Sequence, residues 1–486
     1  MCINPVIDSD FVDAQTVTVN DSFYLFSSSD YSNNGIPYIS SHDLVHWRYA
    51  GWIDDKEFSN GSMRCVSAVE NNGIVYVLFY AISHDRNILY FTNDITRKSW
   101  QSLALDTSYN EGSLFFEDGS IYFISTKDNS IIIQELNNDF NSHNNHSTPI
   151  ITASPNKTIS HPKMYHINDW HYILLTEEDD NGYSKQLCGR SMDTFGHYEF
   201  RVILDGGIGL HVHGISRASL LETSRGDWYA MLNSRGGAFI DVSMLQPVTW
   251  KDGWPIMGDN TTPVESFNVN LKPTHDEDLL FAEEDFSADI LSDAWQVLKT
   301  SDTTNWSLTD HPGWLRLYSN KKANSIANAE CILMHRVNGP MCYALSNMDV
   351  SGMKPGQIAG LASFNGKRAA LVCVRMNRKG QKKFLWQEYV DGKMNQIYEV
   401  PRLITENVIP IGVGIFKDYR VSCGRFKFHP YSEWINFVEY HDLKKDYDTD
   451  LIGVRMALFT YTIGDTGGYV DFNDIRIEQT DIKNYI

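Results

Sequence analysis

Two acidic residues sit where a turn hands over to a short apolar strand. Asp13 lies in "SDFVDAQTV", ahead of the run "TVTVNDSFYLFSSS", and Glu111 lies in "SYNEGSLFFEDGSIYF", ahead of "SLFF". The plainest role for either is that of a turn residue bonding its own backbone. Carboxylates delivered to one point from distant parts of a chain have a second use. One takes a proton from water while the other gives one to a departing oxygen, as cleavage of a glycosidic bond requires. Such chemistry needs a scaffold that brings the starts of separate strands together.

The first half of the chain carries a repeat that suits this need. A turn followed by an aromatic strand occurs in "NDSFYLFSS", "NNGIVYVLFYA", "EDGSIYFIST", "NDWHYILLT" and "RGDWYAMLNS". The anchor residues Tyr24, Tyr76, Tyr122, Tyr172 and Tyr229 are spaced by 52, 46, 50 and 57 residues, each about one four-stranded blade. A second signature ends a strand in Ser or Thr, then Asp, then an aromatic ("ISSHDLVHW", "YFTNDITRKSW", "GRSMDTFGHY"). Its Asp caps a turn and its aromatic fills the space between blades. The pattern predicts an all-β chain opening with a five-bladed β-propeller over residues 1–257, against the alternative of an irregular sandwich. Residues 258–280 read as a linker by composition, and residues 281–486, with alternating strands such as "AALVCVRM" and "YVDFNDIRIEQ", as an antiparallel β-sandwich. In a propeller the residue that begins an inner strand points into the axial funnel, which is where Asp13 and Glu111 would meet.

Composition narrows the function classes. The 25 Tyr, 24 Phe and 12 Trp suit β-structure and the stacking of sugars. A net charge of −20 without clustered Lys or Arg argues against nucleic acid and against an acidic membrane surface. The start "MCINPVIDSD" has neither a basic nor an apolar leader region, and no run of about 18 apolar residues occurs, so a cytoplasmic location is expected. The 7 cysteines are scattered without CxxC spacing and read as reduced, buried small hydrophobes.

At this point the sequence resembles glycoside hydrolase family 43, in its β-xylosidase and α-L-arabinofuranosidase-like branch. The resemblance rests on "NPVIDSDFVDAQTVTVNDSFYLFSS", "GIPYISSHDLVHWRYAG", "EGSLFFEDGSIYF", "SHPKMYHINDWHYILL" and "LQPVTWKDGWP", and on "EEDFSADILSDAWQVLK" and "NWSLTDHPGWLRLYS" in the second half. It implies a five-bladed propeller followed by a concanavalin-like sandwich. It also implies that Asp13 is the general base of an inverting displacement. Glu111 falls where the family has an Asp that tunes and orients the acid, its extra methylene moving the carboxylate by roughly a bond length. The family's acid is a Glu two residues before a Pro; here the segment reads "SHPK", which puts Ser160 in that place. Arg64, Asp30, Arg217 and Asp241 likewise stand near a tryptophan, a sugar-loop aromatic, an axial histidine and a sugar-binding arginine of the family.

Three readings follow. The chain is an active glycosidase whose proton comes from His161, Glu178, His211 or His213; or its site is rebuilt for an anionic sugar, with Arg64 and Arg217 suited to a carboxylate or phosphate; or it binds sugars without hydrolysing them. Hydrolysis of xylo- or arabino-oligosaccharides is the expectation, with Asp13, Glu111, Glu178 and His161 as catalytic candidates. Asp30, Arg64, Ser160, His213, Arg217 and Arg235 are the candidates for binding substrate. No organic cofactor is demanded. Some relatives hold calcium beside the position of Arg217, where a guanidinium would supply the charge itself, so no metal is expected. The partner is a small oligosaccharide, and a homo-oligomer is a possible assembly.

Overall fold

Each tyrosine repeat folds as one hairpin. Tyr24, Tyr76, Tyr122, Tyr172 and Tyr229 all fall on the second strand of a blade, opposite Val17, Val69, Phe115, Tyr165 and Leu221 on the first. Turns such as Asn72-Gly73 (φ 51° and 81°) and Asp118-Gly119 (φ 47° and 84°) have the positive φ values that two-residue hairpins favour. The computed structural model describes residues 1–30, 35–54, 61–141, 147–273, 279–281, 283–298, 303–416, 424–437 and 453–479.

Five sheets make the propeller. Blade 1 runs Gln15–Val19, Ser22–Phe26, Ile36–Ser41 and Arg48–Ile53, and blade 2 runs Ser62–Asn71, Ile74–Ala81, Arg86–Thr92 and Gln101–Ala104 with Ser29–Asp30 added at its first strand. Blade 3 runs Ser113–Glu117, Ser120–Lys127, Ser130–Leu136 and Thr148–Thr152. Blade 4 comprises Lys157–Ile167, Trp170–Asp179, Ser184–Ser191 and Glu199–Leu204, and blade 5 Ser216–Glu222, Trp228–Arg235, Asp241–Lys251 and Trp254–Met257. The second signature does what its residue types suggest. Asp43, Asp94 and Asp193 accept backbone N–H groups of the following turn. Trp100 of blade 2 packs edge-on against Phe26 and Tyr38 of blade 1, and blades 1 and 2 share one apolar cluster.

The ring is closed by the first residues of the chain. Ile7 pairs with Ser243, and the Asn4 side chain donates to the carbonyls of Leu245 and Val264 while accepting from the Leu245 N–H. Cys2–Ile3 pairs with Ser266–Phe267, Gln246 bonds both backbone groups of Val264, and the Asn270 N–H donates to Tyr229 Oη. The polar stretch after Met257 is therefore laid against the propeller through hydrogen bonds as far as Asn270. Two compact units result, the first covering Met1–Tyr31, Gly35–Gly236 and Asp241–Asp278 and the second Leu279–Ile486 with two short segments of the first half.

The second unit holds two seven-stranded antiparallel sheets. Ala369–Met376, Lys382–Val390, Arg455–Thr462 and Gly468–Gln479 coincide with runs read as strands in the sequence. The first sheet packs a core around Ile332, Met334, Phe364, Leu371, Leu385 and Phe459. Helical structure among the described residues is confined to three-residue 3₁₀ turns, and no helix there is long and apolar enough to cross a membrane.

Candidate active site

Counting four residues back from the strand partner of each anchor tyrosine reaches Asp13, Cys65, Glu111, His161 and Arg217, one from each blade. All five line a single pocket. The backbone is turned sharply to present them. Asp13, His161 and Arg217 have φ of 51°, 51° and 60°, and Glu111 precedes Gly112 at φ 135°. Left-handed backbone at a non-glycine residue costs about 1–3 kcal/mol and persists where its surroundings enforce it, commonly at functional sites. In blades 2, 4 and 5 the strand pairing also slips here, between Cys65 and Ser67, Ser160 and Lys163, and Ser216 and Ser219. Bulges of this kind re-aim side chains.

Asp13 is buried at 9% exposure, and both of its carboxylate oxygens are engaged. Oδ1 lies 3.2 Å from Arg217 Nη1, while Oδ2 accepts from Ser28 Oγ at 2.8 Å and lies 3.7 Å from Arg64 Nε. Ser28 is itself held by the Cys65 N–H. Arg217 Nη1 also binds Asp241 Oδ2 at 2.8 Å, and its backbone N–H donates to Thr176 Oγ1. Burial works against the charge of Arg217, but Asp241, Asp13, Glu111 and Glu178 together outweigh it and raise its pKa.

Glu111 has the opposite environment. Burial is the largest influence on its carboxyl and raises its pKa, with the like charge of Asp13 acting weakly in the same sense; the Thr126 hydroxyl, the His161 N–H and the Arg217 charge oppose it without prevailing. His161 Nδ1 lies 2.9 Å from Ser160 Oγ and 3.5 Å from Glu111 Oε2. Its enclosed position, then the charges of Arg217, Arg64 and Lys163, push the imidazole well below its usual range. The site thus pairs a carboxylate contacted by two guanidinium groups with a carboxyl whose pKa burial raises, the kind of difference in environment that acid–base catalysis uses.

Family models match both halves of the chain: "Glycosyl hydrolases family 43" over residues 2–255 and "Beta xylosidase C-terminal Concanavalin A-like domain" over residues 283–478. The chain belongs to glycosyl hydrolase family 43. It is a glycosidase by family, with the propeller and the concanavalin-like sandwich of its fold class. Among similar proteins, a beta-xylosidase of Formosa agariphila is 23% identical over 471 residues, covering 79% of this chain and 76% of its own. A non-reducing end alpha-L-arabinofuranosidase of Bacteroides ovatus is 25% identical, covering 65% of this chain and 64% of its own. The solved structure of a bifunctional GH43-CE protein of Bacteroides eggerthii superposes with a TM-score of 0.85 at 25% identity over 99% of this chain. The family 43 chain spans 64% of that longer protein.

In the family 43 chain the residues singled out by sequence divide by position. Asp13, Glu111, His161 and Arg217 meet in the pocket, Arg64 reaches Asp13, and Ser160 reaches His161. Glu178 pairs with Arg235 at 3.0 Å, both partly exposed. His211 is buried with Nδ1 3.1 Å from the Arg235 carbonyl, and the exposed His213 is tied through its carbonyl to the Ser184 N–H. The Asp30 side chain lies outside the described residues.

Two participants went unread in the sequence. Ser28, which holds Asp13, sits in a serine run with nothing to distinguish it. Lys163 had a signal. Two residues beyond the pocket-lining position, the inner strands carry Gln15, Ser67, Ser113, Lys163 and Ser219, a polar residue in every blade. They line a cavity of about 330 Å³, and Gln15 and Lys163 border the pocket as well. Lys163 Nζ donates to Ser219 Oγ, and burial lowers the amine to about 7.

Among the described residues, Glu117, His166 and His171 place three possible metal-ligand atoms within 4.8 Å of one another. The two imidazoles stack at 4.4 Å with 14° between their planes, and both nitrogens meet the same oxygen, Glu117 Oε1. Nearly parallel rings cannot both hold one ion in their planes. The group is instead a carboxylate clamped by two imidazoles and Thr194, whose hydroxyl donates to Oε2.

Proposed function

We propose that this chain hydrolyses non-reducing-end glycosidic bonds of short xylo- or arabino-oligosaccharides with inversion at the anomeric carbon, and that Asp13 is the base on the attacking water. The observation that carries the reading is the convergence of Asp13 and Glu111 from different blades on one pocket, with cations around the first and burial around the second. The sugar class is supported by the names of similar proteins, a beta-xylosidase and a non-reducing end alpha-L-arabinofuranosidase. By the resemblance, Ser160 stands in the place of the family's acid. A hydroxyl is no substitute for a carboxylic acid near neutral pH, and losing such a donor typically lowers the rate by roughly 10² to 10⁴.

Sugar binding without hydrolysis is the competing reading, and it draws on one feature: both oxygens of Asp13 are already engaged by Arg217, Ser28 and Arg64. Incubating the full chain with nitrophenyl glycosides and with xylose- and arabinose-containing disaccharides separates the two. Hydrolysis is expected, with the inverted anomer formed first in NMR spectra and with Asp13→Asn lowering kcat/KM by roughly 10² to 10⁴. Calorimetric binding with no turnover of any substrate would establish the binding reading.

A further inference from the structure

Among the described residues, Asp13 and Glu111 are the two carboxylic acids lining the pocket. The other titratable or charged groups lining it are Cys65, His161, Lys163 and Arg217, with Arg64 at its edge against Asp13 and Asp241 behind it, ion-paired to Arg217. If Asp13 acts on water, the proton for the leaving oxygen must come from elsewhere in this set or from its rim. His161 is poorly suited because it is kept neutral, with Nδ1 directed between Ser160 and Glu111. Lys163 turns its amine to Ser219. Glu178 is not among the residues lining the pocket and its carboxylate is paired with Arg235 at 3.0 Å. Glu111 remains. His161 Nδ1 lies 3.5 Å from Glu111 Oε2 and 2.9 Å from Ser160 Oγ, so the Glu111 carboxyl and Ser160 are neighbours of one imidazole nitrogen.

We infer that Glu111 is the proton donor to the leaving oxygen, an assignment that rests on the hydrolase reading. In this step water oxygen bonds to the anomeric carbon as Asp13 takes the water proton. The bond from that carbon to the glycosidic oxygen breaks, its electron pair stays with the oxygen, and the oxygen takes the proton of Glu111. The products are a sugar hemiacetal and an alcohol, with Asp13 protonated and Glu111 ionised until solvent exchanges the proton between them. The environment of Glu111 is compatible with the role, since burial, with the like charge of Asp13, raises its pKa.

Proton donation matters most when the leaving group is poor, because an acidic phenol departs unaided whereas a sugar alkoxide does not. The test compares the full-length wild type, Glu111→Gln and Asp13→Asn on xylobiose, an arabinose disaccharide and the 4-nitrophenyl glycosides of both sugars. Glu111→Gln is expected to lower kcat on the disaccharides by roughly 10² to 10⁴ and on the nitrophenyl glycosides by no more than about tenfold. The wild type should lose disaccharide activity on the alkaline side, and that limb should vanish from the Glu111→Gln profile. Equal losses on both substrate types, or a wild-type profile without an alkaline limb, would overturn the assignment while leaving the hydrolase reading intact. Undiminished turnover by Asp13→Asn would instead overturn Asp13 as base, and a wild type inactive on every substrate would sink both.

Discussion

Asp13 and Asp241, 228 residues apart in the chain, share one guanidinium nitrogen: Arg217 Nη1 lies 3.2 Å from the first and 2.8 Å from the second. The Asp13 N–H also points to Asp241 Oδ2 at 3.4 Å. Without Arg217 these two buried acids would lose the cation they share, Asp13 keeping Ser28 and the more distant Arg64. Removing one partner of a buried ion pair costs about 3–5 kcal/mol. Arg217→Ala is therefore expected to lose stability of that order in urea unfolding, and Arg217→Ala with Asp241→Asn to lose less than the sum of the single variants.

Lys163 gives the propeller a pH dependence. Its amine falls from 10.5 to about 7 on folding, so between those values the unfolded chain binds more protons than the folded one. Its penalty on stability is full below about 7 and fades as pH rises toward 10.5. Lys163→Met, which removes the titration, should change Tm most favourably relative to wild type at pH 7 and below. That difference should shrink steadily toward pH 10.5, measured by calorimetry across the range.

Gly112 is the hinge on which Glu111 turns. Its φ is 135°, and a Cβ there would lie 2.3 Å from the Ile124 carbonyl oxygen. Gly112→Ala must displace the Ile124 backbone or shift Glu111. A loss of about 1–3 kcal/mol is expected in thermal melts, with turnover of disaccharides reduced further than the melts alone explain.

Asn4 fastens the first residues of the chain by three side-chain hydrogen bonds, two of 2.8 Å to Leu245 of blade 5 and one of 3.0 Å to Val264 in the stretch that follows it. Asn4→Ala leaves the Leu245 N–H and two carbonyls without that partner, each lost bond in a buried site costing about 1–3 kcal/mol. The expected outcome is a lowered unfolding midpoint and faster hydrogen exchange at Leu245.

Much of this arrangement was open to reading from the chain alone. The spacing of Tyr24, Tyr76, Tyr122, Tyr172 and Tyr229 marked the blades because strand alternation and two-residue turns are local properties. Asp43, Asp94 and Asp193 marked the turns for the same reason. Given the hairpin register, the ring Asp13, Cys65, Glu111, His161 and Arg217 follows by counting. What counting cannot supply is how those side chains divide their charge. Arg64 and Arg217 on Asp13 and His161 beside Glu111 are contacts between blades, set only when the ring closes, and Ser28 on Asp13 and Asp241 on Arg217 join different strands or segments brought together by the fold. The raised pKa of Glu111 and the fall of the Lys163 amine to about 7 depend on burial in three dimensions, because taking a charge out of water costs free energy that no spacing in the sequence records.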